Sequence, residues 1–219
     1  MSDILIHWPY LLAGYLAFSV GLVSPGPNIL AIVGTSMGVS RRAGILMACG
    51  ISTGSFMWAT LAIMGVTALM AAYAPVTIAL KIAGGLYLFW LGTKYWRAAK
   101  SNVSLAVSDG VQEASALRYY LRGFLIQLTN AKAILSWIAM ISIVSDPGAP
   151  MIVSVAYIAG CTILAFAGHI AWAVLFSTRG VVSFYDRFKR VFNSILGTLL
   201  GAIGAGLVVS AFRSGAKST

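Results

Sequence analysis

Acidic side chains are what this sequence has least of: Asp and Glu together number five in 219 residues, against fifteen Lys and Arg. They stand at Asp3, Asp109, Glu113, Asp146 and Asp186, and all five read as loop or terminal positions. A carboxylate cage for a divalent metal and a carboxylate proton relay within an apolar run are therefore excluded. With two histidines, and with neither a Ser, His and acid constellation nor a His-Glu-x-x-His run, no hydrolytic machinery is expected either. No motif for a cofactor is present, so the expectation is a protein that is not an enzyme and holds neither metal nor cofactor. Cysteine is equally scarce. Cys49 and Cys161 both fall inside apolar runs, and one pair at most excludes a disulfide framework and fits small core residues.

What the chain does have is apolar surface. Hydrophobic residues make up 59% and charged residues 9%, and the mean hydropathy is +0.90, values that belong to an integral membrane protein. Each spanning helix needs about 20 apolar residues, which leaves room for about six crossings in a single all-α membrane domain over residues 1–219. The apolar runs lie at about 8–39, 43–72, 76–98, 118–144, 151–177 and 190–212. The first is too long for one straight crossing and predicts a broken or folded-back helix. Residues 1–10 carry no Lys or Arg and no small-x-small cleavage site follows, so the first run is expected to be a retained helix instead of a secretory signal.

The excess of positive charge has a topological explanation. Arg41 and Arg42 follow the first run; Lys94, Arg97, Lys100, Arg118 and Arg122 follow the third; Arg179, Arg187, Lys189 and Arg190 follow the fifth. Those two, five and four residues are eleven of the fifteen basic side chains, and the alternate loops at 73–75 and 145–150 have none. Basic loops collect on the cytoplasmic side, so both termini are expected on the periplasmic side, with the basic loops facing anionic lipid head groups. No nucleic-acid partner is implied.

Two interruptions fall deep within apolar runs. Ser24-Pro25-Gly26-Pro27-Asn28 divides the first, and Thr129-Asn130-Ala131-Lys132 divides the fourth. Backbone left bare by a break is tolerated at membrane depth only where it lines a cavity. Because three crossings reverse the direction of entry, six segments divide into two inverted halves, 1–100 and 117–219, joined by a polar cytoplasmic linker at 101–116. Paired breaks at corresponding places in such halves point to a secondary transporter working by alternating access around a midplane site.

A small zwitterion suits that site. Free N–H groups near Asn28 and Ile29 favour a carboxylate, and open carbonyls at Val23 and Ser24 favour an ammonium. The expected substrate-binding set is Ser24, Pro25, Gly26, Pro27, Asn28, Thr129, Asn130 and Lys132. Each Asn can also cap its own half-helix. Lys132 is too deep to snorkel and must face protein or water. With His169 and Lys81 it forms the set of proton-coupling candidates, although Lys81 can snorkel outward and His169 can serve a structural hydrogen bond. Gly50 and Gly54, with Gly197, Gly201 and Ala205, form small-residue ridges that suit packing within one subunit or, alternatively, a homo-oligomer. Trp8, Tyr95 and Trp96 read as interfacial anchors. An alternative function, a transmembrane thiol or electron conduit, would use Cys49 and Cys161.

Several stretches carry a resemblance. Pro25-Gly26-Pro27-Asn28, Ser40-Arg41-Arg42-Ala43-Gly44 with Gly50 and Gly54, Leu80-Lys81-Ile82-Ala83-Gly84 through Tyr87-Leu88 and Leu91-Gly92, and Leu128-Thr129-Asn130-Ala131-Lys132 occur in the order found in the LysE/RhtB family, which the chain resembles over nearly its whole length. The resemblance implies export of amino acids or close derivatives across the bacterial inner membrane, driven by the proton motive force. In that family the fourth-segment motif usually reads Asn-Pro-Lys. Here Ala131 takes the place of the proline, which predicts a weaker kink.

Overall fold

The computed structural model describes residues 6–24, 26–72, 74–100, 115–144 and 149–215. Among them are eight helices and no strand: α1 (Trp8–Val23), α2 (Pro27–Gly38), α3 (Arg41–Ala72), α4 (Ala74–Lys100), α5 (Ala116–Leu128), α6 (Ala131–Val144), α7 (Met151–Leu175) and α8 (Arg179–Gly215). The six apolar runs thus become four long helices and two bent pairs, α1 with α2 and α5 with α6, which turn by 47° and 61° at their breaks. Arg41–Gly65, Met151–Leu175 and Arg187–Arg213 are long and apolar enough to span a membrane, and each bent pair qualifies when counted as one span, giving up to five. Helix α4 is not in that set. Of the expected linker, residues 101–114 lie outside the described residues, and Ser115 already caps α5 by accepting the Arg118 N–H.

Helix boundaries follow local chemistry. Ser40 Oγ accepts the Ala43 N–H at 3.2 Å and opens α3. Pro9 and Pro27 sit in the first turns of α1 and α2, where no intrahelical donor is lost.

Glycines set how closely the helices cross. Helices α4 and α8 meet along Gly85, Gly92, Gly197 and Gly204, where an added Cβ at Gly85 would stand 2.7 Å from the Gly204 carbonyl and one at Gly92 would stand 2.7 Å from the Gly197 carbonyl. Helices α3 and α5 cross at Gly50 and Gly123, each backed directly onto a carbonyl of the other helix, Tyr120 and Met47 respectively. Helices α1 and α7 cross at Gly14 and Gly160, which receive the rings of Tyr157 and Tyr15. With lipid tails as apolar as the side chains, such backbone approach is a main source of helix association in a bilayer. The ridges expected at Gly50, Gly54, Gly197 and Gly201 therefore serve contacts within this subunit.

Two buried clusters result. One joins Leu11, Phe18, Leu88, Trp137, Ile141, Tyr157 and Leu200; the other joins Ile29, Ile32, Met47, Ile51, Trp172, Phe176 and Tyr185. Large apolar side chains such as Leu16, Phe56, Leu61, Phe89, Leu125, Ile163 and Ile195 are left exposed around the outside, as a protein solvated by lipid requires. The turn into α3 and the end of α7 come together through Arg41 Nε, which donates to Ser177 Oγ at 3.0 Å.

Candidate functional site

Each break has its own cause. At the first, Ser24 is extended (φ −85°, ψ 127°), and Gly26 caps α2 with φ −159° and ψ −175°, its carbonyl accepting the Leu30 N–H at 2.9 Å. Pro27 at the next position cannot continue the α1 hydrogen-bond ladder, so the chain starts a new helix. At the second break no proline is involved. Asn130 ends one ladder and opens the next: its Oδ1 accepts the Lys132 N–H at 3.1 Å, and its carbonyl accepts the Ala133 N–H at 2.8 Å. Even with Ala131 in place of the proline, the chain turns by 61° here, against 47° at the prolines of the first break. Side-chain capping by Asn130 replaces the missing proline as the helix breaker.

The two breaks meet inside the protein. Asn130 Nδ2 donates to Asn28 Oδ1 at 3.1 Å, and Asn28 Nδ2 donates to Gln127 Oε1, so three amides chain across α2, α5 and the start of α6. One step further on, Lys132 Nζ donates to Tyr95 OH at 2.8 Å and to Ser24 Oγ at 3.3 Å. Ser24 Oγ in turn donates to Tyr95 OH. The Lys132 ammonium also lies 5.4 Å from the Tyr95 ring centroid. Tyr87 OH donates to the Lys132 carbonyl at 3.1 Å, tying α4 to the first turn of α6. Gly26 lies beside the ammonium, where an added Cβ would stand 3.4 Å from Nζ, in ordinary contact.

Ser24, Asn28, Gln127, Asn130 and Lys132 border a cavity of about 80 Å³, whose polar wall also includes His169 and whose apolar wall includes Phe18, Leu88, Leu91, Trp137, Met140 and Leu200. His169 is buried at 5% exposure, with Nδ1 3.1 Å from Ser52 Oγ. Trp137 Nε1 donates to Ser55 Oγ at 3.3 Å. Among the described residues no carboxylate lines the cavity, and no group of three or more His, Cys, Asp or Glu is placed to hold a metal.

Of the residues expected from sequence, Ser24, Gly26, Pro27, Asn28, Asn130, Lys132 and His169 converge on this one cavity. Pro25 lies outside the described residues. Thr129 does not join the others: it is exposed, and its hydroxyl donates to the Leu125 carbonyl at 2.9 Å, a bond back along its own helix that turns it from the cavity. Lys81 is buried at 9% exposure, so it does not snorkel outward, but it is not part of the cavity wall. It stands one turn before Gly84, whose missing Cβ admits Ala139 and Ser142 of α6, which gives that face of α4 to the protein. Cys49 and Cys161 are free thiols, and neither lines the cavity.

Sequence reasoning missed Gln127, Tyr95, Ser52 and Ser55. Gln127 was within reach, an amide in an apolar run one helical turn before Asn130. Tyr95 was not, because an aromatic between Lys94 and Trp96 near a basic helix end has every mark of an interfacial anchor.

The model of the LysE type translocator family matches residues 19–211 of this chain. A threonine efflux protein of Salmonella typhi is 28% identical over 192 residues, covering 87% of this chain and 93% of its own length. A leucine efflux protein of Salmonella typhimurium (strain LT2) is 28% identical over 208 residues, covering 93% and 95%. The membrane protein YahN of Escherichia coli (strain K12) is 26% identical over 205 residues, covering 93% and 90%. No solved structure matches the chain.

Proposed function

This chain belongs to the LysE type translocator family, a family of transporters and not of enzymes, and from that premise we propose that it exports small amino acids across the bacterial inner membrane by alternating access. The observation that carries the reading is the convergence of two separately broken spans on one cavity bearing Asn28, Asn130 and the Lys132 ammonium. Relatives named for efflux of threonine and of leucine give the substrate class. In this reading the Lys132 ammonium receives the substrate carboxylate, while the Asn28, Gln127 and Asn130 amides orient it.

Alternating access is supported by the way equivalent helices pair. If α1–α4 and α5–α8 are inverted copies, a two-fold axis relates the crossing of α1 with α7 to that of α5 with α3, and maps the pairs α3 with α7 and α4 with α8 onto themselves. All four pairs pack together, and the last two each cross at glycine, Gly14 with Gly160 and Gly123 with Gly50. The rocking unit would then be one half against the other around the fixed site. Proton coupling would run through Lys132 or through His169 with Ser52, the titratable side chains on the cavity wall among the described residues.

Counterflow of labelled threonine or leucine into proteoliposomes tests the reading. Lys132→Ala and Asn28→Ala are each expected to lower exchange by about tenfold or more, the loss of one charged or buried hydrogen bond. Full exchange by both variants would remove the site assignment.

A further inference from the structure

The charges around the cavity are lopsided, and that asymmetry has a consequence for what enters it. The wall offers one full positive charge, Lys132 Nζ, held by two hydroxyls, Tyr95 OH at 2.8 Å and Ser24 Oγ at 3.3 Å. An ammonium has three hydrogens, so two are committed to neutral acceptors and none of the described partners is an anion. Opposite it the wall offers no carboxylate among the described residues, and the sequence has no Asp or Glu between Asp3 and Asp109 or between Glu113 and Asp146, the stretches that contain both breaks. A substrate carboxylate would therefore meet a full charge, whereas a substrate ammonium would meet only hydroxyl, amide and backbone oxygens. A carboxylate on an ammonium adds the attraction of opposite charges at low dielectric to its charge-assisted hydrogen bond, and a buried charge without a counter-ion is costly.

We propose that the site selects its substrate by the carboxylate, taking small acids of net charge zero or minus one, with the α-amine dispensable and a second positive charge excluded. The inference rests on the exporter reading above and goes further, because it predicts that 2-hydroxy acids share the site and that lysine and arginine do not. A basic side chain would bring a second ammonium beside Lys132 with no acid to offset it, a like-charge pair in a low-dielectric space.

A competition panel against labelled leucine or threonine counterflow in proteoliposomes decides it. The 2-hydroxy acid analogue of the labelled amino acid is expected to compete within about threefold of the amino acid itself. The amino-acid amide, which keeps the ammonium and lacks the carboxylate, and free lysine are expected to compete at least about tenfold more weakly, the factor for one lost charge-assisted pair. Lys132→Gln should flatten the difference between hydroxy acid and amide, and the wild-type panel stands even if that variant does not fold. Exchange that follows the amine, with the amide competing as well as the parent and the hydroxy acid inert, would overturn the inference alone. No exchange of any labelled amino acid would overturn the exporter reading and this inference with it.

Discussion

At the scale of single residues, the junction of the two breaks hangs on groups that other parts of the chain must hold in place. Tyr95, 5% exposed, accepts from both Lys132 Nζ and Ser24 Oγ, so one phenol joins α4 to both interruptions. Tyr95→Phe keeps the ring and its packing but removes that acceptor. Exchange should fall by about tenfold while the protein stays folded, since one buried hydrogen bond costs about 1–3 kcal/mol; counterflow rate and detergent-solubilised unfolding temperature measure the two separately. Unaltered exchange would mean the phenol merely fills space. Sequence reading reached Asn28, Asn130 and Lys132 because an amide or a lysine deep in an apolar run has few structural excuses. It could not reach Tyr95, whose reason for being there is a partner 37 positions away.

At the scale of helices, glycine positions separate structural from neutral. Gly123 backs onto the Met47 carbonyl, while Gly206 has nothing within 4 Å of an added Cβ. Gly123→Ala should push α5 off α3 and lower the unfolding temperature sharply, and it should lower exchange too, because Gln127 lies on the next turn of the same helix. Gly206→Ala should leave both unchanged or raise stability by up to about 1 kcal/mol, the helix preference of alanine over glycine. Equal effects at the two positions would refute the close-packed crossing. The break at Asn130 carries a related lesson. Its bend was legible as a polar interruption, but its size was not, because the sequence shows a missing proline and only the folded chain shows Asn130 Oδ1 capping α6.

At the scale of the whole molecule, the basic loops carry an expectation about orientation. The positions of the eleven clustered basic residues predict periplasmic termini, so a C-terminal alkaline phosphatase fusion should be active and a C-terminal green fluorescent protein fusion dark; the opposite pair would reverse that orientation. The contact of Arg41 with Ser177 joins two of those basic turns at one end of the bundle, as a common side requires.

By itself the sequence determined the solvent, the six apolar runs, the positions of both breaks and most of the polar groups at them, because lipid imposes one-dimensional rules: about 20 apolar residues per crossing, no bare backbone, positive charge inside. Which faces turn inward is a matter of how helices cross, and that only the tertiary structure decided. It turned Thr129 outward and Lys81 into the protein, brought Gln127 to the cavity wall, and set Tyr95 against Lys132 and Ser24. The crossings depend on glycine meeting carbonyl between distant helices, a pairing that no single stretch of chain contains.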